Sequence, residues 1–256
     1  MTFLSKMVLS VRRRVEQKKR KIPVGELPNR STEFRSLIRA IRKSETVPVI
    51  AEIKPRSPST GMLRSSPDVI ALAKEYECGG AIGISVLTEP DYFGGSLENL
   101  TKVKTNVTLP VLRKDFIVDE YQVYESAAHN ADSILLIVPC LDDKLQDFLV
   151  LACRLGLEAL VECHSSQEIE EALEAGARMI GINNRDLETL KVDLTRTEEL
   201  APTLPDDVII VSESGIHNPQ DVRRVVDAGA DAVLVGTAFM CSENVRRKVR
   251  SLVNAR

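Results

Sequence analysis

Val49-Ile50-Ala51-Glu52-Ile53-Lys54 is an apolar run of the kind that a parallel sheet buries on both faces, and it closes on charge. The same ending recurs down the chain. Val111-Leu112 runs into Arg113-Lys114-Asp115, and Leu157-Glu158-Ala159-Leu160-Val161 into Glu162. Met179-Ile180-Gly181-Ile182 runs into Asn183-Asn184-Arg185, and Val208-Ile209-Ile210-Val211 into Ser212-Glu213-Ser214-Gly215. Together these endings bring Lys54, Lys114, Glu52, Glu162, Glu213, Asn183 and Arg185 to one rim of a closed sheet. That rim is where a (β/α)8 barrel assembles its active site, so the pattern is that of an enzyme.

Between the runs a unit repeats, in which a helix stops at Gly or Asn, a small residue follows, and an apolar strand begins. Gly79-Gly80-Ala81, Asn130-Ala131, Gly156-Leu157, Gly176-Ala177 and Gly229-Ala230 are the instances, each suited to a left-handed helix stop. Helix starts are marked by Ser66-Pro67 and Asn218-Pro219, and by Ser165-Ser166-Gln167-Glu168, a capping box. Strands are expected near 49–54, 81–87, 110–114, 133–138, 157–162, 178–183, 208–212 and 232–236. Helices are expected near 67–77, 96–105, 119–130, 142–155, 166–175, 194–201, 218–228 and 243–253. Strict alternation at crossover spacing implies right-handed βαβ units and a parallel sheet. Eight units favour closure into a barrel. An open doubly wound sheet is the alternative, since periodicity does not reveal closure.

Residues 1–47 precede that count and form an N-terminal helical extension packed on the barrel, with 48–256 the catalytic barrel. Leu4, Val8, Val11 and Val15 share one helical face, and Phe34, Leu37, Ile38 and Ile41 another, with a loop from Pro23 to Pro28 between them. The run Arg12 to Lys21 is the most basic in the chain. It is either a patch for nucleic acid or a membrane surface, or the solvated face of a packed amphipathic helix; its shortness favours the latter.

At 256 residues and 43% apolar the chain has the length and the core material of one barrel. A net charge of −3 argues against a dedicated nucleic-acid binder. No apolar run approaches a bilayer span, and no signal core stands at the N-terminus. The five cysteines are scattered without C-x-x-C spacing, which points to reduced thiols in the cytoplasm. No metal site is expected. His129, His164 and His217 stand apart, and His164, though beside Glu162 and Cys163, is taken as a helix-start residue.

Ser214-Gly215 after strand seven and Gly236-Thr237 after strand eight occupy the place where barrels bind phosphate, their glycines admitting anion oxygens to backbone N–H groups. Lys54 and Lys114 project from strand ends into the mouth. A lysine facing a second lysine has its pKa lowered and can act as an acid near neutral pH, with Glu162 and Glu52 as pairing carboxylates. Such a set suits proton transfer at carbonyl or enamine carbons; a static ring of salt bridges is equally consistent with the residues alone. Phe93 and Phe116 flank the rim, either as core under a loop or as walls for a planar ligand.

Glu52-Ile53-Lys54-Pro55-Arg56-Ser57-Pro58-Ser59, Ser85-Val86-Leu87-Thr88-Glu89 and Tyr92-Phe93-Gly94-Gly95-Ser96 resemble indole-3-glycerol phosphate synthases. So do Leu112-Arg113-Lys114-Asp115-Phe116-Ile117, Gly181-Ile182-Asn183-Asn184-Arg185-Asp186-Leu187 and Ser212-Glu213-Ser214-Gly215-Ile216, in order over about 49 to 241. The Lys-Asp-Phe and Asn-x-Arg-Asp-Leu segments separate that family from other phosphate-binding barrels. The resemblance implies a lyase of tryptophan biosynthesis. It would convert 1-(2-carboxyphenylamino)-1-deoxyribulose 5-phosphate to indole-3-glycerol phosphate, carbon dioxide and water, without cofactor or metal.

Under the same resemblance, Lys114 is the general acid at the ribulose carbonyl, and Lys54, helped by Ser57, holds the anthranilate carboxylate and assists proton transfer. Glu162 is the base that completes rearomatisation and loss of the hydroxyl. Glu52, Asn183 and Arg185 fix the sugar hydroxyls and the lysines. Glu213 and Ser214 belong to the rim, while Ser214, Gly215, Gly236 and Thr237 cradle the phosphate. Phe93, Phe116 and Leu187 sandwich the aryl ring. Departures from the family pattern are Pro55 where a basic residue is frequent, Thr237 where serine is usual, and Pro139-Cys140 after strand four. The expected partner is the small phosphorylated arylamino-ribulose alone, with no nucleic acid, no membrane and no fused isomerase barrel, in a monomer or weak homodimer.

Overall fold

In the computed structural model, which describes residues 2–255, eight parallel strands neighbour one another in chain order and the last pairs with the first. They run Val49–Ile53, Gly83–Leu87, Val111–Lys114, Ser133–Ile137, Glu158–Cys163, Met179–Asn183, Ile209–Glu213 and Ala232–Val235. Ile50 stands opposite Gly83 on one side and Leu234 on the other, which closes the barrel and removes the open-sheet alternative. Each strand lies within two residues of its expected place, because burial on both faces leaves an apolar run that chain-local reading detects.

The strand side chains divide between two cores. Val49, Ala51 and Ile53 point out to the helical ring. Ile50, Leu112, Leu160, Ile209 and Leu234 point into the barrel, as alternation along a strand requires.

The N-terminal segment contributes helix α1 (Phe3–Lys21) and helix α2 (Leu37–Arg42). Leu37 and Ile41 of α2 join the interior core from the N-terminal end of the barrel, and the bare Cα of Gly83 leaves room for Leu37. Glu158, at the start of strand five, accepts from Leu37 N–H at 2.7 Å and Ile38 N–H at 3.0 Å and so caps α2 onto that end. Helix α1 buries Met7, Val11 and Val15. Its basic residues meet acids near the opposite rim: Arg14 with Glu89 (3.1 Å) and Asp91 (2.6 Å), Lys18 with Glu125 (2.6 Å), and Lys19 with Asp119 (2.6 Å). The basic run is thus largely paired with the barrel's own acids. No helix among the described residues is long and apolar enough to cross a membrane.

Local signals differ from expectation in three places. Ser66 is not a cap but a left-handed turn residue (φ 43°), and Asp68 caps the helix Val69–Gly79 by accepting from Ile70 and Ala71 N–H at 3.1 and 3.0 Å. Ser165 caps its helix through Glu168 N–H, but the Glu168 carboxylate turns to His164 rather than back to the cap, so the box is half formed; Asn218 and Asp221 form a whole one. A hairpin of Arg56–Ser57 with Gly61–Met62 follows strand one. The Pro55 carbonyl closes it by accepting from Leu63 and Arg64 N–H at 2.9 and 3.0 Å. Pro139-Cys140 sits in a single 3-10 turn, Val138–Cys140, that buries the thiol.

Candidate active site

The C-terminal ends of the strands enclose a cavity of about 310 Å³. Lys114, at the end of strand three, extends across it and donates from Nζ to Glu162 Oε2 (2.8 Å) and Glu213 Oε2 (2.6 Å). Glu162 Oε1 accepts from Asn183 Nδ2 at 2.9 Å, and Asn183 Oδ1 accepts from Arg185 N–H at 3.0 Å. Lys54 pairs with Glu52 at 2.6 Å. The Arg185 guanidinium donates to the Leu190 carbonyl at 2.9 Å, which pins it over the loop after strand six. Phe93 and Phe116 stand with ring centroids 6.2 Å apart at 37°, a tilted pair on one wall.

Each lysine is paired with carboxylates, Lys54 with Glu52 and Lys114 with Glu162 and Glu213, and that overturns the expected depression of the Lys114 pKa. Burial opposes its charge, but the carboxylates of Glu162, Glu213 and Glu52 outweigh burial and hold it well above the ordinary lysine value. The two carboxylates on this ammonium are driven apart. For Glu213, burial, reinforced by Glu162 and Glu52, outweighs Lys114 and pushes the carboxyl up to about 7. For Glu162, burial is overcome by Lys114 and by His164, and the group is held below the usual carboxylate range. One ammonium therefore faces one firmly ionised carboxylate and one poised to hold a proton.

Two glycines explain how carboxylates sit so deep. A Cβ on Gly181 would overlap the Glu213 carboxylate, and one on Gly236 would overlap that of Glu52. Gly236 thus makes room for a catalytic-rim side chain, a role beyond the tight approach of an anion. Across strand seven, Ser214 (φ 65°) and Gly215 (φ 85°) are consecutive left-handed residues. Asn184 Nδ2 holds that turn through the Glu213 and Ser214 carbonyls at 3.0 and 3.1 Å. Ser214, Gly215, Gly236 and Thr237 line the same side of the cavity, at the ends of paired strands.

Thirteen of the residues singled out from sequence therefore converge, since Leu187 lines the mouth as well. Gly236 makes a fourteenth. Ser57 does not. Its buried hydroxyl lies 3.3 Å from Ser59 Oγ and accepts from Thr60 N–H at 3.2 Å, shaping the hairpin, and Ser59 and Thr60 line the cavity instead. Sequence reading also passed over two supporting groups. Glu89 accepts from Tyr92 N–H (2.7 Å) and Phe93 N–H (3.2 Å) while gripped by Arg14, so α1 holds the loop that carries Phe93. His164 is no mere helix start: its Nε2 lies 3.3 Å from Glu162 Oε1 and its Nδ1 3.1 Å from Glu168 Oε2. Its adjacency to Glu162 in sequence was the available signal.

The sequence profile of indole-3-glycerol phosphate synthases matches residues 4–252 of this chain. The chain belongs to the indole-3-glycerol phosphate synthase family. It is an enzyme, a carboxy-lyase of tryptophan biosynthesis. The synthase of Kineococcus radiotolerans is 52% identical over 210 residues, which cover 82% of this chain and 77% of that protein. The synthase of Thermoanaerobacter sp. (strain X514) is 46% identical over 238 residues, or 93% of this chain and 92% of its own. Among solved structures, thiamine phosphate pyrophosphorylase from Pyrococcus furiosus superposes with a TM-score of 0.63 at 19% identity, covering 82% of this chain and 95% of the other. At that identity the likeness is one of fold. The synthase family supplies the chemistry against which the rim is read.

Proposed function

We propose that Lys114 and Glu162 are the acid and base of this synthase, acting on 1-(2-carboxyphenylamino)-1-deoxyribulose 5-phosphate. Ring closure joins the carboxylate-bearing aryl carbon to the sugar's ketone carbon, and the ketone oxygen gathers negative charge as the bond forms. Lys114 delivers a proton to it. Its raised pKa does not prevent this, because a developing alkoxide is far more basic than any amine; the raised value keeps the acid loaded. Loss of carbon dioxide follows, then loss of the hydroxyl as water while Glu162 removes the proton that restores the aromatic ring. The substrate carboxylate leaves as neutral carbon dioxide, so each turnover takes up one proton from solvent.

Lys54 serves the substrate carboxylate, and Glu52 holds Lys54 in place. Asn183 orients Glu162, and Arg185 faces the sugar hydroxyls. The turns Ser214-Gly215 and Gly236-Thr237 receive the phosphate, while Phe93, Phe116 and Leu187 pack the aryl ring. The observation that carries this reading is Lys114 set between two carboxylates of different basicity, in a cavity also lined by the Ser214-Gly215 turn and a phenylalanine pair.

We further infer that residues 1–47 act as a helical extension that fixes the Phe93 loop. The enzyme works as a cytoplasmic monomer or weak homodimer, and its free thiols Cys78, Cys140, Cys153, Cys163 and Cys241 suit a reducing compartment. Incubating the pure protein with the arylamino-deoxyribulose phosphate and following indole fluorescence tests the reading. Substrate-dependent fluorescence that vanishes in Glu162→Gln supports it, and its persistence in that variant refutes the base.

A further inference from the structure

Within the rim stand three carboxylates, Glu52, Glu162 and Glu213, and two ammoniums, Lys54 and Lys114. Arg185 also lines this rim but donates to the Leu190 carbonyl, so among the described residues Lys114 is the one rim cation in contact with Glu162. Behind Glu162, outside the cavity lining, the imidazole of His164 lies between two carboxylates. Nδ1 is 3.1 Å from Glu168 Oε2, which also accepts from the His164 backbone N–H at 2.7 Å. Nε2 is buried, lies 3.3 Å from Glu162 Oε1, and makes no hydrogen bond to any described residue. The ring is held by its own helix start, 3.3 Å from the oxygen of Glu162 that Lys114 leaves free.

We propose that His164, clamped by Glu168, is a positioning residue for the reaction: it supplies the imidazolium that balances and orients the Glu162 carboxylate from behind. The proposal rests on the reading of Glu162 as the base.

The two carboxylates against the ring favour that form. Burial works against its charge, but the carboxylates of Glu162 and Glu168 beside the ring outweigh burial and raise its pKa to about 9. Beyond Glu162 stand Lys114 and, through it, Glu213. Cys140, from the turn after strand four, and Cys163, next in the strand, flank the same region; burial first, then the neighbouring glutamates, keep both thiols neutral. Arg12 and Asp142 pair with each other at 3.6 Å farther out, beside Cys140. No cation other than Lys114 and His164 contacts Glu162 among the described residues.

An imidazolium at this distance should lower the Glu162 pKa by about 1–3 units. The consequence is a base that stays ionised in a closed, substrate-filled site. Because His164 does not line the cavity, its loss should act on turnover and not on substrate binding.

The test measures kcat and KM against pH for wild type, His164→Gln, Glu168→Gln and Glu162→Gln, with melting curves to verify folding. His164→Gln should lower kcat at neutral pH, leave KM within about twofold, and move the acidic limb of kcat upward by about one unit or more. Glu168→Gln keeps the ring and the backbone hydrogen bond but removes the outer charge. It should leave the acidic limb in place and draw the alkaline limb downward from near 9. If His164→Gln folds and shows the wild-type kcat and both wild-type limbs while Glu162→Gln is inactive, the positioning role is overturned. If His164→Gln does not fold, Glu168→Gln decides: unmoved limbs overturn the proposal. Full turnover in Glu162→Gln would refute the base assignment itself, and the inference with it.

Discussion

Replacing Lys114 by Met keeps the side chain's length and apolar stem and removes its charge and proton. A positioned general acid is worth about 10²–10⁴-fold, or about 2.7–5.5 kcal/mol of barrier, so kcat should fall by at least that factor. Substrate affinity should stay within roughly tenfold, about 1.4 kcal/mol, because in the proposed reading the Ser214-Gly215 turn and Lys54 serve the phosphate and the carboxylate. Stability should fall as well. Breaking a buried ion pair costs about 3–5 kcal/mol, and the low end applies here because two compensations exist. Glu213, already pushed up to about 7, takes a proton in the variant, and Glu162 keeps Asn183 and His164. Fluorescence assay of indole formation gives kcat and KM, and urea unfolding gives the stability loss. Adding Glu213→Gln to Lys114→Met removes one stranded carboxylate, so stability should recover while turnover does not. A Lys114→Met enzyme within tenfold of wild-type kcat would refute the mechanism. Recovery of turnover in the double variant would show that Lys114 acts only by pairing Glu213.

Gly215→Val should weaken inorganic phosphate and substrate together in calorimetry: its backbone is left-handed (φ 85°), and a Cβ there would stand 2.6 Å from Val192 Cγ1; unchanged affinity for both would place the phosphate elsewhere. Arg14→Ala releases Glu89, which caps the Phe93 loop, and should raise KM severalfold with kcat nearly kept, whereas kinetics equal to wild type would leave α1 as packing alone. His164 has a native pKa of about 9 against an ordinary 6.5, so its protonation stabilises the fold fully below about 6.5 and that stability is lost as pH rises through 9. Urea unfolding between pH 6 and 10 should show a loss of up to about 3 kcal/mol in wild type that His164→Gln lacks; parallel curves for the two would refute an imidazolium in the native state.

The barrel could be read from sequence because its signals are local. An apolar run ended by charge, a helix stop at glycine and a strand start at alanine all fall within a dozen residues, and Val49–Ile53 and Met179–Asn183 lie where such runs place them. Which groups touch is a different kind of fact. Residues 114, 162 and 213 come from strands three, five and seven, and nothing in the chain states that one ammonium serves two carboxylates. For that reason the lysine pKa was expected to fall and is instead raised. His164 does stand at a helix start, immediately before the Ser165 cap, but sequence does not reveal that the Glu168 carboxylate serves the imidazole and the His164 N–H and not the cap. The hairpin that Ser57 shapes is likewise absent from the sequence reading, since its two short strands carry no apolar run. The sequence places Phe34 on one apolar face with Leu37, Ile38 and Ile41, but Phe34 precedes α2 and is exposed, while Leu37 and Ile41 close the barrel's N-terminal end.

The glycines tie the rim's charge to the barrel's architecture. A strand interior normally loses stability at glycine, yet Gly181 sits mid-strand and buried, with its missing Cβ occupied by the Glu213 carboxylate. Gly236 does the same for Glu52. These two voids allow both carboxylates to lie buried below the mouth, and for Glu213 that burial raises its proton affinity. An acid held at the surface would be screened by water and would keep an ordinary pKa. Depth therefore converts an ordinary set of rim charges into a graded one: Glu162 ionised, Glu213 near neutrality, and Lys114 strongly basic between them. The proposed reaction consumes one proton per turnover, and such grading suits it, since a group near 7 can take a proton from water and a loaded ammonium beside it can pass one on. The strand glycines, which look like the least chemical residues of the chain, thereby fix where in the barrel the proton chemistry can occur.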